Sequence, residues 1–147
     1  MSNPIKVIIT DDHVLFRAGV KTALSMHKDI KMIAEADNGM QLLNVLKHIQ
    51  PDVILLDIMM PDMDGYEVCQ LLKRNTVTKD IPIIFITAQT DESAEEKGLD
   101  LGAVDFISKP INPRIVRARV KTHLMLKAQS DLLRSWAYLD GLTGVHN

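Results

Sequence analysis

Two adjacent acids, a lone acid, a threonine and a lysine carry the chemistry open to this chain. Asp11-Asp12 follow the apolar run KVIIT, Asp57 closes VILLD, Thr87 closes IPIIFIT, and Lys109-Pro110 lie just past DFIS. Three carboxylates brought together repel by about 4 kcal/mol per pair at ~4 Å and an effective dielectric of ~20. Three pairs reach at most roughly 12 kcal/mol, comparable to the whole stability of a domain. A lysine relieves one charge. A hard divalent cation relieves two more, and a few carboxylates with retained waters are the donors that Mg2+ prefers. A carboxylate flanked by Mg2+, a lysine and a hydroxyl is equipped to attack a phosphoryl group and become an aspartyl phosphate. The cation and the lysine neutralise the phosphoryl oxygens, and the threonine hydroxyl donates a hydrogen bond to one of them.

That chemistry requires the five residues in one place. Apolar runs at 6–10, 31–36, 53–56, 81–87 and 105–108 read as strands. Helical patterns alternate with them. In 14–26, Leu15, Ala18, Gly19, Thr22 and Met26 recur at helical spacing. MQLLNVLKHI (40–49) is stopped by Pro51, YEVCQLLKR covers 66–74, and DESAEEKGLDLGA covers 91–103. A long helix begins at Pro113, a favoured first-turn proline. Five alternations predict an α/β fold, a doubly wound five-stranded parallel sheet with helices on both faces. The near-continuous apolar strands agree, because parallel strands are buried on both sides. Ligands of such sheets bind beyond the carboxyl ends of the strands. Taken singly, Asp11 or Asp12 is a helix cap, Asp57 a turn residue, Thr87 a strand residue and Lys109 a solvated charge. Together, at successive strand ends, they define one crevice.

Gly98 and Gly102 interrupt the fourth helix. Gly98 either weakens the helix, so that it moves at low cost, or permits close packing. The single cysteine, Cys69, reads as a packed helix residue and excludes a disulfide framework. The five histidines show no ligand-pair spacing, and only His13 lies next to the acids. With 147 residues, 46% of them hydrophobic, the chain suits one domain plus an appendage. A net charge of −2 argues against a broad nucleic-acid-binding face. The start, MSNPIKVIITDD, lacks a signal-peptide core, and no run reaches membrane-spanning length, so a cytoplasmic protein is expected.

TDD at 10–12, LLDIMMPDMDG at 55–65, TA at 87–88 and DFISKP at 105–110 resemble the receiver domains of two-component response regulators. The resemblance covers roughly residues 5 to 125 and implies a flavodoxin-like strand order of 2-1-3-4-5. It implies Asp57 as phospho-acceptor, Thr87 and Lys109 as contacts to the phosphoryl group, and a cis Lys109-Pro110 bond. For Mg2+ it implies Asp12 and Asp57 as direct ligands, Asp11 acting through water, and the Met59 carbonyl. Thr87 and Phe106 would form the switch, and Met59 and Gln89 would tune phosphoryl lifetime. The implied partner is a sensor histidine kinase or phosphotransfer protein. This chain would be no enzyme beyond accepting and losing its own phosphoryl group. A haloacid-dehalogenase phosphatase also uses an Asp nucleophile, Mg2+, Thr and Lys. It needs Asp two residues after the nucleophile, where this chain has Met59.

The last nine residues, LDGLTGVHN, resemble the opening of a GGDEF domain, the diguanylate cyclase fold, through Asp140, Leu142, Thr143, Gly144 and Asn147. The expected division is a receiver at 1–125, a linker helix at 126–139 and the start of a cyclase-type output domain at 140–147, as in a piece of a longer regulator. A DNA-binding output is one alternative, since the segment HVLFRAG after the acids resembles that of DNA-binding regulators, and a cyclic di-GMP phosphodiesterase is the other. Met125, Leu132 and Leu139 recur every seven residues with Ala128 and Trp136 nearby, while Gln129 and Ser135 interrupt the seam. A homodimer strengthened by phosphorylation is expected, with no membrane contact and no direct nucleic-acid binding by this chain.

Overall fold

The β-branched and aliphatic runs form five strands: β1 Ile5–Thr10, β2 Ile30–Ala36, β3 Val53–Leu56, β4 Ile83–Thr87 and β5 Asp105–Ser108. The computed structural model describes residues 3–88 and 92–143, with side chains as far as 139. All pairings are parallel and the order is β2-β1-β3-β4-β5. The helices are α1 Val14–Ser25, α2 Gly39–Val45, α3 Gly65–Arg74, α4 Glu92–Asp100 and α5 Pro113–Thr143.

Successive strand residues face opposite sides of the sheet, and both sides are covered. Ile8, Ile54, Leu56, Ile83 and Phe85 join Leu42 of α2, Val68, Cys69 and Leu72 of α3, and Ala94 of α4. Val7, Ile9, Val53, Leu55, Ile84 and Ile86 join Val20 and Leu24 of α1 and Val116 and Val120 of α5. The sheet is thus doubly wound, as the alternation of runs predicts. Cys69 is buried in the first of these cores.

Two helices differ from their sequence patterns. In α1 the stripe Leu15, Ala18, Gly19, Thr22, Met26 faces outward, with Leu15 87% and Met26 81% exposed. The sheet takes the neighbouring stripe, Val20 and Leu24 with Phe16, because those side chains remove more apolar area from water than Ala18, Gly19 and Thr22 would. In α2 the regular helix ends at Val45 instead of running to Ile49. There the amides of Lys47 and His48 reach back only three residues, to Asn44 and Val45, tightening the last turn. Asn38 starts α2 by accepting from the Gln41 amide at 2.9 Å.

Gly98 is buried, and a Cβ there would stand 2.8 Å from the Phe85 ring. Close packing of α4 on β4 therefore requires this glycine. Helix α5 runs unbroken through residues 125 and 139, at the expected domain boundaries, to Thr143. No helix among the described residues is long and apolar enough to cross a membrane.

Candidate functional site

Parallel-sheet hydrogen bonding continues one residue past the strands, and that carries the acids into register. The Asp11 amide donates to Ala36 O at 3.0 Å, and the Asp57 amide donates to Thr10 O at 2.9 Å. On the other flank the Lys109 amide donates to Thr87 O at 2.8 Å, and the Lys109-Pro110 bond is cis. The loop after Asp57 folds back tightly. Asp62 takes φ of 68°, Gly65 N donates to Ile58 O at 2.8 Å, and Asp64 caps α3 through the Glu67 amide at 2.9 Å. A Cβ on Gly65 would fall 2.3 Å from the Asp57 carbonyl oxygen, so only glycine fits there.

Oxygen atoms of Asp11, Asp12 and Asp57, with a ring nitrogen of His13, all lie within 4.8 Å of one another. Asp11 is 1% exposed and Asp57 2%. Lys109 Nζ stands 2.7 Å from Asp11 Oδ2 and 3.7 Å from Asp57 Oδ2, and 4.1 Å from the centroid of the Phe16 ring. The lysine therefore bonds Asp11 and leaves Asp57 at longer range. Asp57 Oδ2 and Asp12 Oδ1 have no hydrogen-bond partner among the described residues. Burial, then the Asp11 charge, push the Asp57 carboxyl from 3.8 up to about 6, with Lys109 opposing and Asp12 adding to the rise. Buried carboxylate oxygens without partners are costly and call for a ligand. Three carboxylates with orphaned oxygens fit Mg2+.

Thr87 is fully buried at the end of β4. Phe106 is buried in β5 and meets Phe85 edge-on, centroids 6.5 Å apart. Met59 is largely exposed beside the acids. Gln89 lies outside the described residues, as do Gly144 to Asn147 and the side chains from Asp140 onward. The crevice brings together Asp11, Asp12, Asp57 and Lys109, and Thr87 adjoins it through its carbonyl, which accepts from the Lys109 amide. Sequence reading missed Arg17, whose guanidinium donates to the Asp11 carbonyl and, at 3.3 Å, to Glu35. Its place one turn into α1 from the acids was the available signal.

The model of the response regulator receiver domain matches residues 7–121. The "Probable cyclic di-GMP phosphodiesterase" of Vibrio cholerae is 38% identical over 127 residues, 86% of this chain and 28% of that protein. The phosphate regulon transcriptional regulatory protein PhoB of Pseudomonas aeruginosa is 39% identical over 125 residues, 85% of this chain and 54% of that protein. The chain therefore spans between about a quarter and about half of the length of these relatives. Among solved structures, a response regulator from Chloroflexus aurantiacus superposes with a TM-score of 0.77 at 30% identity, covering 83% of this chain and 98% of that one. The chemotaxis protein CheY4 of Vibrio cholerae gives 0.74 at 26% identity, covering 81% and 98%. With its crevice, its strand order and this match across most of its length, the chain belongs to the family of response regulator receiver domains.

Proposed function

We propose that Asp57 is the phospho-acceptor of this receiver and that the chain relays a kinase signal to a diguanylate cyclase output. The observation that carries the first part is a carboxylate 2% exposed, with an unpartnered oxygen, between two further acids and a lysine 3.7 Å away. Asp12, Asp57 and the Met59 carbonyl would hold Mg2+, with Asp11 acting through water. When bound, the cation neutralises charge on the phosphoryl oxygens. Asp57 attacks the phosphorus of a phosphohistidine or of a small phosphodonor. The bond to the leaving group breaks, and an acyl phosphate forms on the carboxylate. Lys109 shifts its charge from Asp11 toward the new phosphoryl oxygens, and the Thr87 hydroxyl donates to one of them. Because Thr87 and Phe106 sit on adjacent, paired strands, the pull on Thr87 reaches the Phe106 ring and the face of α4, β5 and α5.

The donor is a sensor histidine kinase or phosphotransfer protein, placing the chain in the cytoplasm. The cyclase output rests on the likeness of residues 140–147 to the opening of a GGDEF domain. The relatives name a phosphodiesterase and transcriptional regulators, and this chain matches 28% and 54% of the lengths of two of them. The acceptor reading is tested by intact-mass measurement with a small phosphodonor, with and without Mg2+. A gain of one phosphoryl group that needs Mg2+ and disappears in Asp57→Asn is expected. The output reading is tested by following the coding sequence past Asn147 and assaying its product for cyclic di-GMP synthesis from GTP.

A further inference from the structure

The side chain at the start of α1 serves the acid pair instead of the helix. His13 is the N-cap residue of α1, yet its ring makes no cap hydrogen bond. Caps are usually Ser, Thr, Asp or Asn, whose oxygens accept from the first free amides. Here Asp11 Oδ1 accepts from the His13 amide at 2.9 Å, and the imidazole turns back over the carboxylates. Its Nδ1 hydrogen-bonds Asp11 Oδ1 at 3.0 Å and stands 3.2 Å from Asp12 Oδ1, which has no hydrogen bond; with the ring proton moved to Nε2, the Nδ1 lone pair faces the same oxygens. The ring is otherwise largely exposed, so packing does not dictate this position.

This nitrogen alters the donor set. Three carboxylates alone suit hard cations such as Mg2+, which keeps several waters and takes one or two carboxylates. Imidazole suits Mn2+ less than Co2+, Ni2+ or Zn2+, whose affinity for nitrogen ligands rises along that series as far as copper. Asp12 Oδ1 and Asp57 Oδ2, both without hydrogen bonds, supply the anionic half of either site. We propose that His13 is a nitrogen ligand that lets the acidic crevice bind borderline transition-metal ions such as Ni2+ or Co2+, while Mg2+ binds there without it. This rests on the reading of the crevice as the cation site of the receiver. The metal class that loads the protein is then set by one residue that has no part in phosphoryl chemistry.

The test is calorimetric titration of the full chain with Mg2+ and with Ni2+, in the wild type, His13→Ala, His13→Asn and Asp12→Asn. Loss of outer-shell partners alone weakens metal binding by roughly 10–100-fold, so loss of a direct ligand costs at least about tenfold. Ni2+ binding should weaken by that much in both His13 variants, while Mg2+ binding changes by less than about threefold. Asp12→Asn should weaken both ions. In the Co2+ form, proton NMR should show one contact-shifted imidazole N–H resonance that is absent from both His13 variants. Equal weakening of Ni2+ and Mg2+ in the His13 variants, or weakening of neither, overturns the proposal. Ni2+ binding that survives Asp12→Asn at full strength also overturns it, by placing the ion at another histidine. Absence of binding by either ion in the wild type would instead refute the underlying cation site.

Discussion

Asp57 carries an electrostatic load that makes it the most sensitive reporter of the site. Its folded carboxyl is raised from 3.8 to about 6. Its neutral form is therefore favoured by folding. The resulting stability is present in full below pH 3.8 and is lost as pH rises through 6. A shift of about two units corresponds to roughly 3 kcal/mol. Urea unfolding of the metal-free chain should show Asp57→Asn more stable than wild type by about that amount at pH 8, with the gap closing toward pH 4. A gap independent of pH would contradict the assignment of the strain to Asp57. The neighbouring acids divide differently. Asp12 Oδ1 lacks a hydrogen bond, so Asp12→Asn should stabilise the metal-free fold and weaken Mg2+ binding. Asp11 holds Lys109 at 2.7 Å in a buried pair, so Asp11→Asn should destabilise the fold by roughly 1–3 kcal/mol and weaken Mg2+ less. Thermal melts across a Mg2+ titration separate the two. The convergence of Asp11, Asp12, Asp57 and Lys109 was legible in the sequence because strand ends in a parallel sheet converge. The pairing of Lys109 with Asp11, and the entry of Arg17 and His13, were not, because side-chain reach off a helix start leaves no periodic signal.

The elements show where hydrophobic pattern decides structure and where packing does. The inner strands β3 and β4 were readable because both of their faces are apolar, which leaves no ambiguity of side. Helix α1 was not, since it carries two adjacent apolar stripes and only the partner surface selects Val20 and Leu24 over Leu15 and Met26. The end of α2 was missed because a tightening turn keeps the helical spacing of its side chains. In α4, Gly98 poses a test between local propensity and packing. Alanine there gains about 1 kcal/mol of helix propensity. Its Cβ, however, would press on the Phe85 ring, which is fully buried and flanked edge-on by Tyr66 at 5.5 Å and Phe106 at 6.5 Å. Overpacking of that kind costs roughly 1–3 kcal/mol. Gly98→Ala should therefore lower the unfolding midpoint, measured by chemical denaturation. A raised midpoint would show that α4 shifts freely away from β4.

At the scale of the molecule, α5 is the longest helix among the described residues. Its first half is fixed by buried Val116 and Val120 and by Arg117 and Lys121, which grip Asp29 at 2.6–3.0 Å. At 1.5 Å per residue its 31 residues extend about 46 Å, past the edge of the sheet. Beyond Leu124, Asp131 pairs with Lys127 and Arg134, while Met125, Leu132, Trp136 and Leu139 are exposed along one stripe at alternating three- and four-residue steps through Gln129. Leu126, Leu133 and Tyr138 are exposed outside that stripe. We propose a second α5 as the partner of this stripe, with the polar Gln129 and Ser135 keeping the pairing weak enough for phosphorylation to shift. Sedimentation should show a heavier species when beryllofluoride occupies Asp57, and Leu132→Lys should reduce that gain. A mass unaffected by beryllofluoride would contradict the dimer switch. All of this depends on a single acceptor among the chain's 19 acidic residues. The decisive measurement is to treat the whole chain with Mg2+ and a small phosphodonor, reduce the acyl phosphate with borohydride, and locate the product by tandem mass spectrometry. One homoserine, at position 57, is the expected result. A reduced residue elsewhere, or labelling of Asp57→Asn at the wild-type stoichiometry, would contradict it.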